Sequence, residues 1–376
     1  MSCPHEHGKL NTHSQEYPHV ATNHDEKIEY PLRAVAWETT RKCILNCKHC
    51  RGGALNKEYQ GELTTEEGKK LLKSIASCGR TVMIFTGGEP MSRSDIYELI
   101  SYAKECGLIP VISPCGHLVT PETVKKLQDA GAMAMSISLD GADAKSHDDF
   151  RGEEGAFNIA VNAIKYAVAV NLRTQINCTV SKLNVDDLGK IHDLAVSLGA
   201  QTVDYFFLVP TGRGEQLKKL EIDPVQYEYA LKFINDLRKR SPLDIRVTCA
   251  PHYARIQQQD LAKEQKNGNI PVTDGAITAR GCLGGKGFAF ISHTGIVQPC
   301  GFFNRVCGDL RKENYDFKKI YLESKIFNDL RNTDAYKGSC GVCKYVKSCG
   351  GCRARALEQH GDYMDAEPNC KYNAKK

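Results

Sequence analysis

Thr39-Thr40-Arg41-Lys42-Cys43-Ile44-Leu45-Asn46-Cys47-Lys48-His49-Cys50 places three cysteines at Cys-x3-Cys-x2-Cys spacing within eight residues. Thiolates this close in sequence converge only if the chain wraps around a centre, and soft sulfur ligands select zinc, copper(I) or an iron–sulfur cluster. A closed zinc site asks for four ligands, and the nearest spare side chain is His49, inside the motif itself. A cubane cluster has four irons, so three cysteines leave one iron open to a ligand that the protein does not supply.

Outward from this run, short apolar stretches alternate with amphipathic ones. Residues 33–37, 81–86, 109–113, 132–139, 174–180 and 202–209 are rich in β-branched and aliphatic side chains and too short for helices, so they read as six strands. Between and after them, 64–77, 94–106, 121–130, 156–170, 185–198 and 224–239 have helical spacing. Start signals such as Pro121 behind Thr120 and Asp187 in a first turn support them. Regular strand–helix alternation means a parallel sheet with right-handed crossovers. Six units fall short of a closed eightfold barrel, so the expected fold is α/β, an open, partial (β/α)6 barrel over residues 31–240, with its site at the C-terminal strand ends.

Residues 241–280 read as a linker with a polar middle, 257–267. Residues 281–376 hold eight cysteines, Cys282, Cys300, Cys307, Cys340, Cys343, Cys349, Cys352 and Cys370, and are expected to form a second, metal-binding domain. Residues 1–30 are polar and contain His5, His7, His13, His19 and His24, read as a tail or as a source of an axial ligand to a haem-type iron.

Fifty basic against forty-five acidic residues leave a net charge of only +5, which argues against a nucleic acid or other polyanion as partner. Seventeen cysteines in 376 residues stay below the density of a disulfide scaffold. The first residues have no apolar targeting stretch, and no window approaches eighteen apolar residues, so no membrane span is expected. A reducing cytoplasm, with thiols free for metal, is the expected setting.

The second strand ends in Thr86-Gly87-Gly88-Glu89-Pro90. Two glycines permit a backbone approach that a Cβ would block, and the Glu89 carboxylate offers a partner to an ammonium. Behind a Cys-x3-Cys-x2-Cys after the first strand, this motif resembles the radical S-adenosylmethionine (SAM) enzymes over about residues 33–240. The resemblance implies that Cys43, Cys47 and Cys50 hold three irons of a [4Fe–4S] cluster while SAM chelates the fourth. It also implies that Gly87, Gly88 and Glu89 receive the SAM amine. Ser138 and Asp140 of Ser136-Ile137-Ser138-Leu139-Asp140-Gly141, with Arg151 of His147-Asp148-Asp149-Phe150-Arg151-Gly152, look like the carboxylate and ribose contacts, and Asn177 is a further SAM candidate. The bare reading of Asp140-Gly141 as a strand-ending turn stays open.

In the second cysteine field, Cys282-x12-Gly295-x4-Cys300 and Cys340-x2-Cys343-x5-Cys349-x2-Cys352, followed by Cys370, resemble the SPASM auxiliary-cluster domain. One departure is that Gly350 and Gly351 alone separate Cys349 from Cys352, where the family usually has three residues. The resemblance implies one or two auxiliary [4Fe–4S] clusters, with two favoured. Cys340, Cys343, Cys349 and Cys370 would hold one. Cys282, Cys300 and Cys352 would hold the other, with Cys307 as its expected fourth ligand. A zinc ribbon remains an alternative for the Cys340–Cys352 pairs. Cys78, Cys106, Cys115 and Cys178 read as small buried hydrophobes; Cys3 and Cys249 are left unassigned.

Cys249-Ala250-Pro251-His252-Tyr253-Ala254-Arg255 and 281–292 look like the haem-forming branch of the family, which includes the haem d1 maturases and the didecarboxysiroheme deacetylase. This implies a tetrapyrrole substrate, iron-coproporphyrin III, two of whose propionates would be decarboxylated to vinyls, and an electron-donor protein such as a ferredoxin or flavodoxin. Propionates need cations, for which Arg213, Arg255, Arg280 and Lys286 are candidates, while His252 and Tyr253 could shape the pocket or ligate iron. A peptide or protein substrate is the competing expectation, weakened because the first strand begins near Arg33 and leaves no room for a leader-binding domain.

Overall fold

The computed structural model describes residues 29–267 and 280–372. The histidine-bearing segment and Cys3 lie outside these residues. All six expected strands are present as β1 (Ala34–Glu38), β2 (Val82–Thr86), β3 (Ile109–Ile112), β4 (Ala134–Ser138), β5 (Arg173–Val180) and β6 (Thr202–Phe207), joined parallel in that order. The helices are α1 (Thr65–Ala76), α2 (Ile96–Glu105), α3 (Pro121–Ala130), α4 (Ala144–Arg151), α5 (Ala156–Ala169), α6 (Leu188–Ser197) and α7 (Pro224–Arg238). Local chemistry starts several of them. Thr64 and Asp223 close capping boxes with Glu67 and Gln226, and Pro121 follows the capping hydroxyl of Thr120. Helix α4 has no counterpart in the hydrophobic pattern, because it is short and largely polar. It is held instead by the Asp143 carboxylate, which accepts from the Ser146 N–H, and it stops at Gly152 with φ 73°.

The described part of the expected linker, residues 241–267, is built into the barrel. It contains a seventh parallel strand, β7 (Asp244–Thr248), paired with β6, and a further helix, α8 (Tyr253–Lys266). Edge position explains the misreading: one side of β7 faces solvent, so Asp244 and Arg246 interrupt the apolar run.

The C-terminal segment is built into the same sheet. Strand β8 (Phe288–Ile291) runs parallel to β1 on its free side, and β9 (Ile296–Gln298) and β10 (Gly308–Asp309) add antiparallel pairs, giving the order β10-β9-β8-β1-β2-β3-β4-β5-β6-β7. Helices α9 (Phe317–Glu323), α10 (Lys325–Arg331), α11 (Gly338–Gly341) and α12 (Arg353–His360) complete it. Phe317, Tyr321 and Phe327 lie in one continuous core with Trp37, Leu71 and Phe85 of the barrel half. Burying such aromatic surface is worth about 2 kcal/mol per side chain, so the two halves stabilise each other. The sheet stays open, its edges being β7 and β10. Among the described residues no helix is long and apolar enough to cross a membrane.

Candidate functional site

Cys43, Cys47 and Cys50 lie in the loop after β1, at the C-terminal end of the parallel strands, around a small core of Leu45 and Ala54 with Cys115 beside it. Two neighbouring segments shape this loop. The Gly88 N–H donates to the Thr40 carbonyl and the Glu89 N–H to that of Lys42, both at 2.7 Å. A Cβ on Gly87 would stand 2.4 Å from the Thr40 oxygen, and one on Gly88 2.3 Å from that of Lys42. The close approach that demands both glycines is therefore made by the cysteine loop itself. From the other side, the Arg213 N–H donates to the Cys50 carbonyl, its Nε to that of Cys47 at 3.0 Å and its Nη1 to that of Ala54 at 2.6 Å. Arg213, expected as a propionate cation, is instead a brace of the loop.

Glu89 is fully buried. Its Oε1 accepts from the Met91 N–H at 2.8 Å and its Oε2 from the Cys115 N–H at 2.6 Å. Burial raises its pKa, and a hydrogen bond from the Cys115 thiol together with these two backbone bonds acts against that. Asp140 is also buried. Its Oδ2 pairs with Arg151 Nη2 at 2.7 Å, and its Oδ1 accepts from the Thr179 N–H at 2.6 Å. Burial alone would raise the Asp140 carboxyl, yet Arg151, His49 and His147 hold it below the usual range. Asp140 thus orients Arg151, whose Nη1 points to Cys47 Sγ at 3.8 Å. Polar side chains follow in register across β4, β5 and β6: Ser138 stands opposite Asn177, and Asn177 opposite Asp204. Asp204 was not foreseen. Burial lifts its pKa to about 6 against a hydrogen bond from Thr248.

Several buried polar atoms here have no hydrogen-bond partner: His49 Nδ1, Arg151 Nε, Asp204 Oδ1, Thr211 Oγ1 and Arg213 Nη2. Buried polar groups are rarely left unpaired, so those of His49, Arg151 and Arg213, which border the loop, fit a polar ligand bound against the three thiols. The described residues contain no group of three His, Cys, Asp or Glu side chains convergent enough for a single metal ion. A cubane, which gives each thiolate its own iron, does not need such convergence.

A charge network ties this loop to the C-terminal segment. Glu38, at the end of β1, takes Arg41 Nη2 and Arg51 Nη2 at 3.0 Å each and His293 Nδ1, just beyond β8, at 2.9 Å. Burial would raise its carboxyl, but His293, Arg51 and Arg41 bring it to about 2. Arg51 also lies 4.3 Å over the Phe290 ring and donates to the Gly301 carbonyl. No motif marks Glu38, Arg51 or His293; the contacts span some 250 residues of chain.

The second cysteine field separates into groups. Cys340, Cys343, Cys349 and Cys370 line one small pocket together with His252, Arg255 and Tyr372. Backbone N–H groups point at three of these sulfurs: Glu367 at Cys340 (3.3 Å), Tyr345 at Cys343 (3.4 Å) and Gly351 at Cys349 (3.4 Å). Donors aimed at thiolates are a means of tuning iron–sulfur potentials. Cys300 and Cys352 share a second apolar cluster with Phe303 and Leu357, and Cys282 Sγ lies under Gly284 beside Pro299. Cys307, the expected fourth member, is elsewhere: it packs against the main core with its thiol at Ser324 and Arg331. Cys249, unassigned from sequence, packs against both the main core and the second cluster.

Four of the remaining substrate candidates are held by neighbouring side chains. Arg255 Nη2 pairs with Glu228. Tyr253 is buried in the main core. His252 sits on Tyr227, 5.2 Å between ring centres, and burial together with Arg355 and Arg255 keeps it neutral, near 4. The Lys286 ammonium lies 5.4 Å over the Tyr336 ring, within electrostatic reach of Cys282 and Cys349. Arg280 is exposed.

Residues 37–195 match the model of the radical SAM superfamily. The chain is 45% identical to the AdoMet-dependent heme synthase of Nitratidesulfovibrio vulgaris, over 92% of this chain and 93% of that one. It is 42% identical to the AdoMet-dependent heme synthase of Methanosarcina barkeri, over 90% and 96%. The fold is shared with the crystal structure of Streptococcus suis SuiB bound to S-adenosylmethionine, at a TM-score of 0.70 and 16% identity over 91% of this chain and 78% of that one. The radical SAM family carries a [4Fe–4S] cluster and SAM, and the donor set around Cys43, Cys47 and Cys50 fits both. The chain is an enzyme of radical chemistry and belongs to the radical SAM superfamily, in the family of the AdoMet-dependent haem synthases.

Proposed function

We propose that this enzyme makes haem b by oxidative decarboxylation, converting two propionate side chains of iron-coproporphyrin III to vinyl groups. The observation that carries the reading is the 42–45% identity to two haem synthases over nine-tenths or more of the chain. When bound, the cluster and SAM supply a 5′-deoxyadenosyl radical that abstracts a hydrogen atom from an unactivated carbon.

In this reading Cys43, Cys47 and Cys50 hold three irons, and the strap of Gly87, Gly88 and Glu89 keeps their loop in place beside SAM. Ser138, Asn177 and Asp204 present polar groups to SAM or substrate from β4, β5 and β6, and Arg151 is oriented by Asp140. Each propionate loses a β-hydrogen, carbon dioxide and one electron, so the residual electron needs an acceptor. The second cysteine field, holding two auxiliary [4Fe–4S] clusters, supplies it. Cys340, Cys343, Cys349 and Cys370 serve one cluster; Cys282, Cys300 and Cys352 serve the other. A ferredoxin or flavodoxin would deliver the electron that cleaves SAM.

The test is anaerobic incubation of the reconstituted enzyme with SAM, a reductant and iron-coproporphyrin III. The expected product is lighter by two carbon dioxide molecules and four hydrogens, with two molecules of 5′-deoxyadenosine per haem. Formation of 5′-deoxyadenosine with an unaltered tetrapyrrole would overturn the haem reading and leave the radical chemistry standing.

A further inference from the structure

Cys249 follows the last residue of β7 and adopts φ 63°. This left-handed conformation is costly for a residue with a side chain and persists only where the surroundings enforce it. The enforcing contact is identifiable. Arg355 Nη2 holds the Cys249 carbonyl at 3.1 Å and also reaches the Leu208 carbonyl, while its guanidinium pairs with Glu367 at 3.3 Å and with Glu221 at 2.9 Å. The same Glu367 accepts the N–H of Cys352. One buried ion pair therefore fixes the backbone at both Cys249 and Cys352.

Their side chains meet as well. Cys249 and Cys300 pack against one apolar cluster that contains Cys352, Phe303 and Leu357. Cys249 is within electrostatic reach of Cys352 and Cys300, and both of those are within reach of Cys282. Four thiols thus converge from four separate segments: the end of β7, the approach to β8, the turn after β9 and the start of α12. Cys307 faces Ser324 and Arg331 instead.

We infer that Cys249 is the fourth ligand of the auxiliary cluster held by Cys282, Cys300 and Cys352, and that Cys307 is not a ligand. This rests on the reading that the second cysteine field binds iron–sulfur clusters. A cubane with four protein thiolates has no open iron, so this cluster carries electrons and does not bind substrate. Because its fourth ligand comes from a barrel strand, the cluster is anchored to the barrel as well as to the C-terminal segment.

The test begins from the full-length Cys43→Ala/Cys47→Ala/Cys50→Ala protein, reconstituted anaerobically, in which two auxiliary cubanes give about eight irons per chain. Adding Cys249→Gly removes the ligand while permitting the positive φ, so the apoprotein should melt no lower than its parent. Iron should nevertheless fall from about eight towards four, with loss of one EPR signal or its replacement by a three-iron signal. Cys249→Ser, which offers oxygen, should retain more iron with shifted g values. Cys307→Ala should keep about eight irons and the parent spectrum. The inference is overturned if Cys249→Gly and Cys249→Ser both keep the parent iron and spectrum, or if Cys307→Ala loses a cluster. A parent that binds zinc, or about four irons that Cys249→Gly leaves unchanged, overturns it too; haem formation by the unmodified enzyme would then still stand.

Discussion

The two cysteine fields are built by opposite strategies. The first draws three sulfurs from eight consecutive residues, and the fold's task is to press a loop into shape: Gly87 and Gly88 lie against its backbone on one side and Arg213 on the other. The second gathers sulfurs from segments as far apart as β7 and α12, and a buried Arg355–Glu367 pair holds them in place. In the function proposed above, the local set would leave one coordination position free for a cosubstrate, whereas the dispersed set would enclose its centre and tie together the parts of the chain that supply it.

The comparison predicts which changes disable one field and spare the other. Replacing Cys43, Cys47 and Cys50 together by alanine should abolish SAM cleavage altogether while leaving the iron of the second field; liquid chromatography for 5′-deoxyadenosine and iron analysis read the two effects. Gly88→Ala places a methyl where the Lys42 oxygen lies 2.3 Å away. It should shift the loop at a cost of about 1–3 kcal/mol and lower SAM cleavage by at least tenfold, and the second field's EPR signals should persist.

Glu38→Gln tests the bridge between the fields. Removing the charge leaves Arg41, Arg51 and His293 facing one another, and breaking such a buried arrangement costs about 3–5 kcal/mol, to be read from denaturant unfolding of the apoprotein. Its pH dependence has a definite sign. The carboxyl ionises near 2 in the folded protein against 4.5 ordinarily, so its contribution of ~3 kcal/mol is present above 4.5 and is lost as pH falls towards 2. Glu38→Gln should flatten that part of the stability profile.

The smallest effect is expected at Asp204, on β6. Its folded pKa near 6, against 3.8 ordinarily, means that stability falls as pH rises from about 4 to 6 and the buried group must ionise. Asp204→Asn should remove that slope and raise stability at pH 7 by up to about 3 kcal/mol, less whatever its altered hydrogen bond with Thr248 costs. An unchanged profile would show that Asp204 does not ionise in this window.

Much of the barrel was legible because it rests on local rules. Six strands and six helices announced themselves through apolar periodicity and caps such as Thr120-Pro121, and the positions of Cys43 and Gly87 followed from the ends of those strands. What escaped has physical reasons. Strand β7 alternates polar and apolar residues because it is an edge, and α4 is too short and polar to show an apolar face. Arg213, in Pro-Thr-Gly-Arg-Gly, resembled a free cation because nothing near it in sequence reveals the carbonyls of Cys47 and Ala54.

The sequence by itself determined the parallel α/β architecture, the three-thiol loop after the first strand and the family to which the chain belongs, since each is written in spacing over a few tens of residues. Only the tertiary structure decided that β8 joins the barrel sheet, that Glu38 links the two halves, and that Cys249 lies with Cys300 and Cys352 while Cys307 does not. Those facts depend on which distant segments share a core, and burial and charge pairing act through space, without regard to separation along the chain.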